Sequence, residues 1–144
     1  MTTYVWAVGA AIVLAATLPT AAGAQDTKAG EKVFVKCKAC HTIEEGKHRV
    51  GPSLANVVGR KAGTAEGFKY SDAMKNADIT WTPENLDKYL ADPKGFVPGN
   101  KMVFVGLKEE QDRKNVIAYL QEHSEKKASE DTDGGRSVLA ERAR

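Results

Sequence analysis

The sequence predicts an all-α protein. Three observations carry that expectation. Apolar residues recur at helical spacing in three stretches, each with a start or stop signal. The segments between them are rich in glycine and proline. No run alternates apolar and polar residues as a half-buried strand would.

The first helix is expected over Thr27 to Cys40, where Ala29, Val33, Phe34, Cys37 and Cys40 share one face and lysines lie between them. Gly30 is a poor helix former in its first turn, which points to close packing there. From Thr42 to Gly67 glycine recurs at 46, 51, 59, 63 and 67, and the segment reads as loop with short turns. Ser71 can cap a short helix over Asp72 to Asn76. Thr82-Pro83 places an N-cap before proline at the first helical position; Leu86, Tyr89 and Leu90 then form one face, and the helix stops before Asp92-Pro93. Gly95 to Gly106 is loop. Lys108 to His123 is the last helix, with Val116, Ile117, Tyr119 and Leu120 as its apolar stripe.

The two ends differ from the middle. Met1 to Ala24 carries no charge, and its apolar run from Val5 to Leu18 is broken only by Gly9 and Thr17. Pro19 follows, and Ala22-Gly23-Ala24 makes a small-x-small cleavage pattern before Gln25. Residues 1–24 therefore read as a secretory signal peptide, despite an n-region without lysine or arginine, and the mature chain is expected in the periplasm. The rival is a retained anchor, but the run falls short of the ~20 residues a spanning helix needs. Residues 25–123 form the folded domain. Residues 124–144 carry five acidic and five basic residues, Gly134-Gly135 and no aromatics, so they read as a charged tail without a fold of its own.

Composition narrows the function. The 144 residues hold 21 Lys+Arg against 19 Asp+Glu, a net charge of +2, which argues against binding nucleic acid by bulk charge. Without residues 1–24, 43 apolar residues remain among 120, about 36%. That is lean beside the ~45–50% of ordinary domains, an average that also counts glycine. The polypeptide alone makes a thin core, and two cysteines are too few for a disulfide scaffold.

Cys37-Lys38-Ala39-Cys40-His41 is C-x-x-C-H, the attachment pattern of c-type haem. Two thiols three residues apart can each add to one porphyrin vinyl group, and the adjacent imidazole is held beneath the iron as proximal ligand. A thioredoxin-like redox pair would need a βαβ surround, which is lacking. Zinc would need a second ligand pair at metal spacing, and His48 and His123 do not supply one. The other axial position has five candidates: Met74, Met102, His48, His123 or an open site. Pro98 and Gly99 shape a loop able to turn Met102 inward, whereas Met74 fits core filling better.

Beyond this pentad the chain resembles the class I c-type cytochromes, the group of bacterial cytochrome c2 and mitochondrial cytochrome c. The matches run almost without a gap from about Thr27 to His123. They include Gly30 to Phe34, Cys37 to Thr42, Lys47 to Leu54, Val58 to Lys61, Gly67 to Ala73, Ile79 to Trp81, Tyr89-Leu90 with Pro93-Lys94, Phe96 to Gly106, and Ile117 to Leu120.

The resemblance implies the class I cytochrome c fold, with helices and loops wrapped around one haem c per chain, tethered by Cys37 and Cys40. It implies His41 and Met102 as iron ligands. The Pro52 carbonyl would accept the second ring N–H of His41, and Tyr89 would direct its hydroxyl to the Met102 sulfur. Arg60, Tyr70 and Trp81 would donate to a buried propionate, with Asn100 near the other one. Phe104 would cover the haem on the Met102 side. Gly30 and Phe34 would meet Val116 and Tyr119 where the terminal helices cross. His48 would be a loop hydrogen-bond donor. Met74 stands where relatives often carry asparagine, and the tail has no counterpart.

With both axial positions filled, the resemblance implies a one-electron carrier and not an enzyme. Lys36, Lys38, Lys47, Lys69, Lys94 and Lys101 lie in segments the family places near the haem edge. A monomer would dock through them on membrane redox complexes: a quinol–cytochrome c reductase, and a terminal oxidase or photosynthetic reaction centre. A haem peroxidase or gas-binding protein would need an open axial site, and a tethered cytochrome domain would retain residues 1–24.

Overall fold

Capping chemistry decides where the helices begin. A computed structural model describes residues 26–124; the proposed signal peptide and the tail beyond Ser124 lie outside the described residues. Helix α1 is Thr27–Phe34, and its N-cap Asp26 accepts from the Lys28 and Ala29 amides. α2 is Asp72–Lys75, capped by Ser71 through the Met74 amide. α3 is Pro83–Ala91, capped by Thr82 through the Asn85 amide, with proline at its first position. α4 is Pro93–Phe96, and α5 spans 110–124.

The helices differ from the sequence reading in several places; α5, for instance, starts at residue 110 and not at Lys108. The first helix ends at Phe34, not Cys40. Beyond it the amides of Lys36 and Cys37 reach back three residues, to Val33 at 3.0 Å and Phe34 at 2.8 Å, so the backbone tightens into successive turns. Four-residue links reappear at Lys38 and His41, and the C-x-x-C-H segment thus rides on helix-like turns. α4 was expected as loop. Asp92 ends α3 and also caps α4, accepting from the Gly95 amide at 3.0 Å. Last, Ser124 belongs to α5: its hydroxyl donates to the Leu120 carbonyl (2.9 Å) and accepts from the Val58 amide (3.3 Å).

Among the described residues there is no strand, which agrees with the all-α expectation. One antiparallel bridge joins Lys61 to Thr80, backed by hydrogen bonds from Ala62 to Ile79 and from Trp81 to Arg60. It draws Arg60 and Trp81 to the same place in the fold.

The core has two parts. At one end α1 crosses α5. Phe34 and Val116 are each 1% exposed, and the Phe34 and Tyr119 rings lie 5.2 Å apart. At the other, Val57, Met74, Trp81, Leu86 and Tyr89 are buried, and all of them except Leu86 line a cavity. α3 and α4 pack on each other and deliver the loop that carries Met102.

Candidate functional site

A cavity of about 340 Å³ is lined by all eleven residues singled out from the sequence: Cys37, Cys40, His41, Pro52, Arg60, Tyr70, Trp81, Tyr89, Asn100, Met102 and Phe104. The turns after α1 supply the two thiols and His41. The 52–60 loop supplies Pro52 and Arg60. The bridge brings Trp81, α3 brings Tyr89, and the loop after α4 brings Asn100, Met102 and Phe104.

Each wall has a definite chemistry. His41 Nδ1 lies 2.8 Å from the Pro52 carbonyl oxygen, which can only accept, so Nδ1 carries the proton and Nε2 keeps its lone pair. Burial lowers the His41 pKa and favours the neutral ring, although the Pro52 bond opposes this. Gly51 stands behind the ring: a Cβ there would fall 2.3 Å from His41 Cε1. This packing residue was legible as a glycine, but its contact was not.

Across the sequence from His41, the Tyr89 hydroxyl donates to Met102 Sδ at 3.7 Å. Burial first, and the neighbouring Tyr70 second, push the Tyr89 pKa up to about 12, so the donor proton is retained. Trp81 packs on Tyr89 with ring centres 4.9 Å apart.

Arg60 tests whether an anionic group fits. Its Nη1 and Nη2 donate to the Ala55 and Ser53 carbonyls at 2.9 and 3.0 Å. Its Nε is buried with no hydrogen-bond partner, beside a cavity that Tyr70 and Trp81 also line. A buried guanidinium donor left over in this way suits a carboxylate. Burial lowers the Arg60 pKa and raises that of Tyr70, while each group's charge opposes the other's shift. The two unpaired thiols, the apolar wall and the leftover donor together fit a porphyrin with acidic side chains.

One residue, Asn100, is engaged differently from expectation. Asn100 lines the cavity, but its amide N–H groups are taken by the carbonyls of Pro93 (2.7 Å) and Val97 (2.8 Å), and its oxygen accepts from the Met102 amide (2.9 Å). It shapes the Met102 loop and has no proton left for a propionate. Met74 is buried as core filler should be, at 8% exposure, and it also lines the cavity. His48 accepts from the Ser53 amide at Nδ1, so its Nε2 donates to the Glu66 carbonyl at 2.7 Å, tying two loops together. His123 stacks on Tyr119, away from the cavity lining. Among the described residues no cluster of three or more His, Cys, Asp or Glu could hold a metal ion.

Most of the described chain is similar to known proteins. The family model described as cytochrome c matches residues 27–124. Cytochrome c2 of Rhodomicrobium vannielii is 56% identical over 114 residues, covering 78% of this chain and 89% of that protein. A c-type cytochrome, cyt cy, of Rhodobacter capsulatus is 64% identical over 96 residues, 66% of this chain but 48% of that protein. Among solved structures, cytochrome c2 from Rhodospirillum centenum matches with a TM-score of 0.66 at 43% identity, over 69% of this chain and 98% of its own. With two thiols flanking the cavity and a family match over the whole described domain, the chain belongs to the cytochrome c family: it is an electron-carrier cytochrome holding haem c covalently.

Proposed function

We propose that this chain is a periplasmic one-electron shuttle with histidine–methionine coordination. The observation that carries the reading is that His41, Met102 and both cysteines line one cavity, with Tyr89 donating to the Met102 sulfur. When bound, haem supplies the Fe(III)/Fe(II) couple. The chain's residues do the rest. Cys37 and Cys40 tether the ring. His41 offers its Nε2 lone pair, oriented by Pro52. Met102 offers a soft thioether, which favours the reduced metal. Arg60, Tyr70 and Trp81 hold a propionate, and Phe104 covers the Met102 side.

Docking partners are read from charge. Lys36, Lys69 and Lys101 are exposed and line the cavity, so they stand at its rim. Lys36 also pairs with Asp112 at 3.3 Å, which leaves Lys69 and Lys101 as the rim charges best placed to steer association with acidic surfaces. The partners proposed are a quinol–cytochrome c reductase and, on the other side, a terminal oxidase or photosynthetic reaction centre, met by a monomer.

The oxidised protein is expected to show the weak far-red absorption band of an iron–sulfur(Met) bond. That band should vanish in Met102→Ala and survive in Met74→Leu. Its absence from the unmodified protein would overturn the histidine–methionine assignment.

Export is proposed through residues 1–24. The intact mass of secreted protein should correspond to a start at Gln25 plus one haem. A mass that retains residues 1–24 would support a membrane-tethered cytochrome instead.

A further inference from the structure

The loop that carries Met102 is held at its two ends by different side chains. At its start, Asn100 binds the carbonyls of Pro93 and Val97 and the Met102 amide. At its exit, Arg113 of α5 donates from Nη1 to the carbonyls of Leu107 and Lys108, at 2.9 and 3.0 Å. The same guanidinium donates from Nε to Asp87 Oδ1 on α3 at 2.7 Å. The Leu107 amide adds a bond to the Leu90 carbonyl at 2.7 Å. Between these anchors the side chains alternate: Val103 is 96% exposed and Val105 85%, while Met102 and Phe104 turn inward onto the core.

A side chain on such a span keeps its place only as well as the span's ends hold. Arg113 is the strongest of the exit contacts. Its side chain is 12% exposed, its partners are charged or carbonyl oxygens, and it joins α3, α5 and the loop in one fork. It does not line the cavity.

We infer that Arg113 is a positioning residue for Met102: it pins the loop's exit to α3 and α5, so that the thioether is displaced only when three hydrogen bonds to the guanidinium break. The inference rests on the reading of Met102 as an iron ligand. A neutral thioether competes with external ligands through its fixed position, so weakening the clamp should show as easier exchange.

The test is titration of the oxidised, haem-loaded full chain with imidazole. Arg113→Met keeps much of the apolar stem and removes the fork. It is expected to raise the apparent imidazole affinity about tenfold, because that affinity scales with the fraction of open loop. Arg113→Lys can still pair with Asp87 but cannot fork to both carbonyls, and should recover part of the loss. Asp26→Ala removes the α1 cap, whose partners are the Lys28 and Ala29 amides of α1 itself, and should leave the affinity within about twofold, since a loop can open without global unfolding. Met102→Ala gives the fully open reference.

The outcomes separate. If Met102→Ala does not raise the affinity, the ligand reading falls and this inference falls with it. If Met102→Ala raises it but Arg113→Met stays within twofold of the unmodified protein, the Arg113 inference alone is overturned. Equal rises in Asp26→Ala and Arg113→Met would also overturn it, because general destabilisation would then be the cause.

Discussion

A chain carrying Cys37→Ala and Cys40→Ala is expected to be purified without haem and without most of its helix. The reason lies in how the core is divided. The cavity measures about 340 Å³ and is walled by Leu54, Val57, Met74, Trp81, Tyr89 and Phe104. Without its occupant that apolar wall faces water, and the burial that should hold the domain together is lost. The chain has little to offset this, since only about 36% of residues 25–144 are apolar. Burial of the Arg60 guanidinium becomes a further liability once no anion meets its Nε. What remains is the α1–α5 crossing and short helices of four to nine residues, below the length at which helices persist alone. Circular dichroism of the double variant should show weak helical signal and a broad melt. A native-like spectrum with a sharp cooperative transition would overturn the view that haem completes the core.

The parts of the fold that were legible in the sequence are those written in contiguous signals. Thr82-Pro83 announced α3 because cap and proline are neighbours, and C-x-x-C-H announced the attachment site for the same reason. Asp92-Pro93 is the same start signal as Thr82-Pro83. It was read only as a stop, because α3 had to end there, and α4 was missed. The end of α1 was hidden for another reason. Apolar periodicity continues through Cys37 and Cys40, and periodicity cannot tell three-residue from four-residue hydrogen bonds. Asn100 was close to Met102 in sequence, yet its amide partners are set by turn geometry that composition does not encode. Arg113 and Asp87 lie 26 residues apart on two helices, so nothing local in either one marks the pair.

Substitution of Gly30 is expected to be the most damaging single change outside the cavity. α1 approaches α5 so closely that a Cβ at Gly30 would sit 2.0 Å from the Asn115 carbonyl oxygen and 2.8 Å from Tyr119 Cβ. The first of these is backbone inside a helix, which cannot swing aside as a side-chain tip could. The helices would have to separate, and the contacts that separation spoils are among the best buried in the protein. Phe34 and Val116 are each 1% exposed, and the Asp26 amide donates to Asn115 Oδ1 at 3.2 Å. Two effects oppose each other in Gly30→Ala. Alanine gains about 1 kcal/mol of helix propensity over glycine. Overpacking of a tight interface costs about 1–3 kcal/mol, and the cost grows when backbone must move. At 2.0 Å the clash should win, giving a net loss of about 1–2 kcal/mol for alanine, and a larger loss for Gly30→Val, whose branched side chain adds volume at the same point. Guanidinium unfolding of the haem-loaded chain measures this directly. Lys28→Ala, at an exposed position on α1, should shift the midpoint by no more than about 0.5 kcal/mol. A Gly30→Ala midpoint at or above that of the unmodified protein would show that the crossing can relax, and that glycine is not required there.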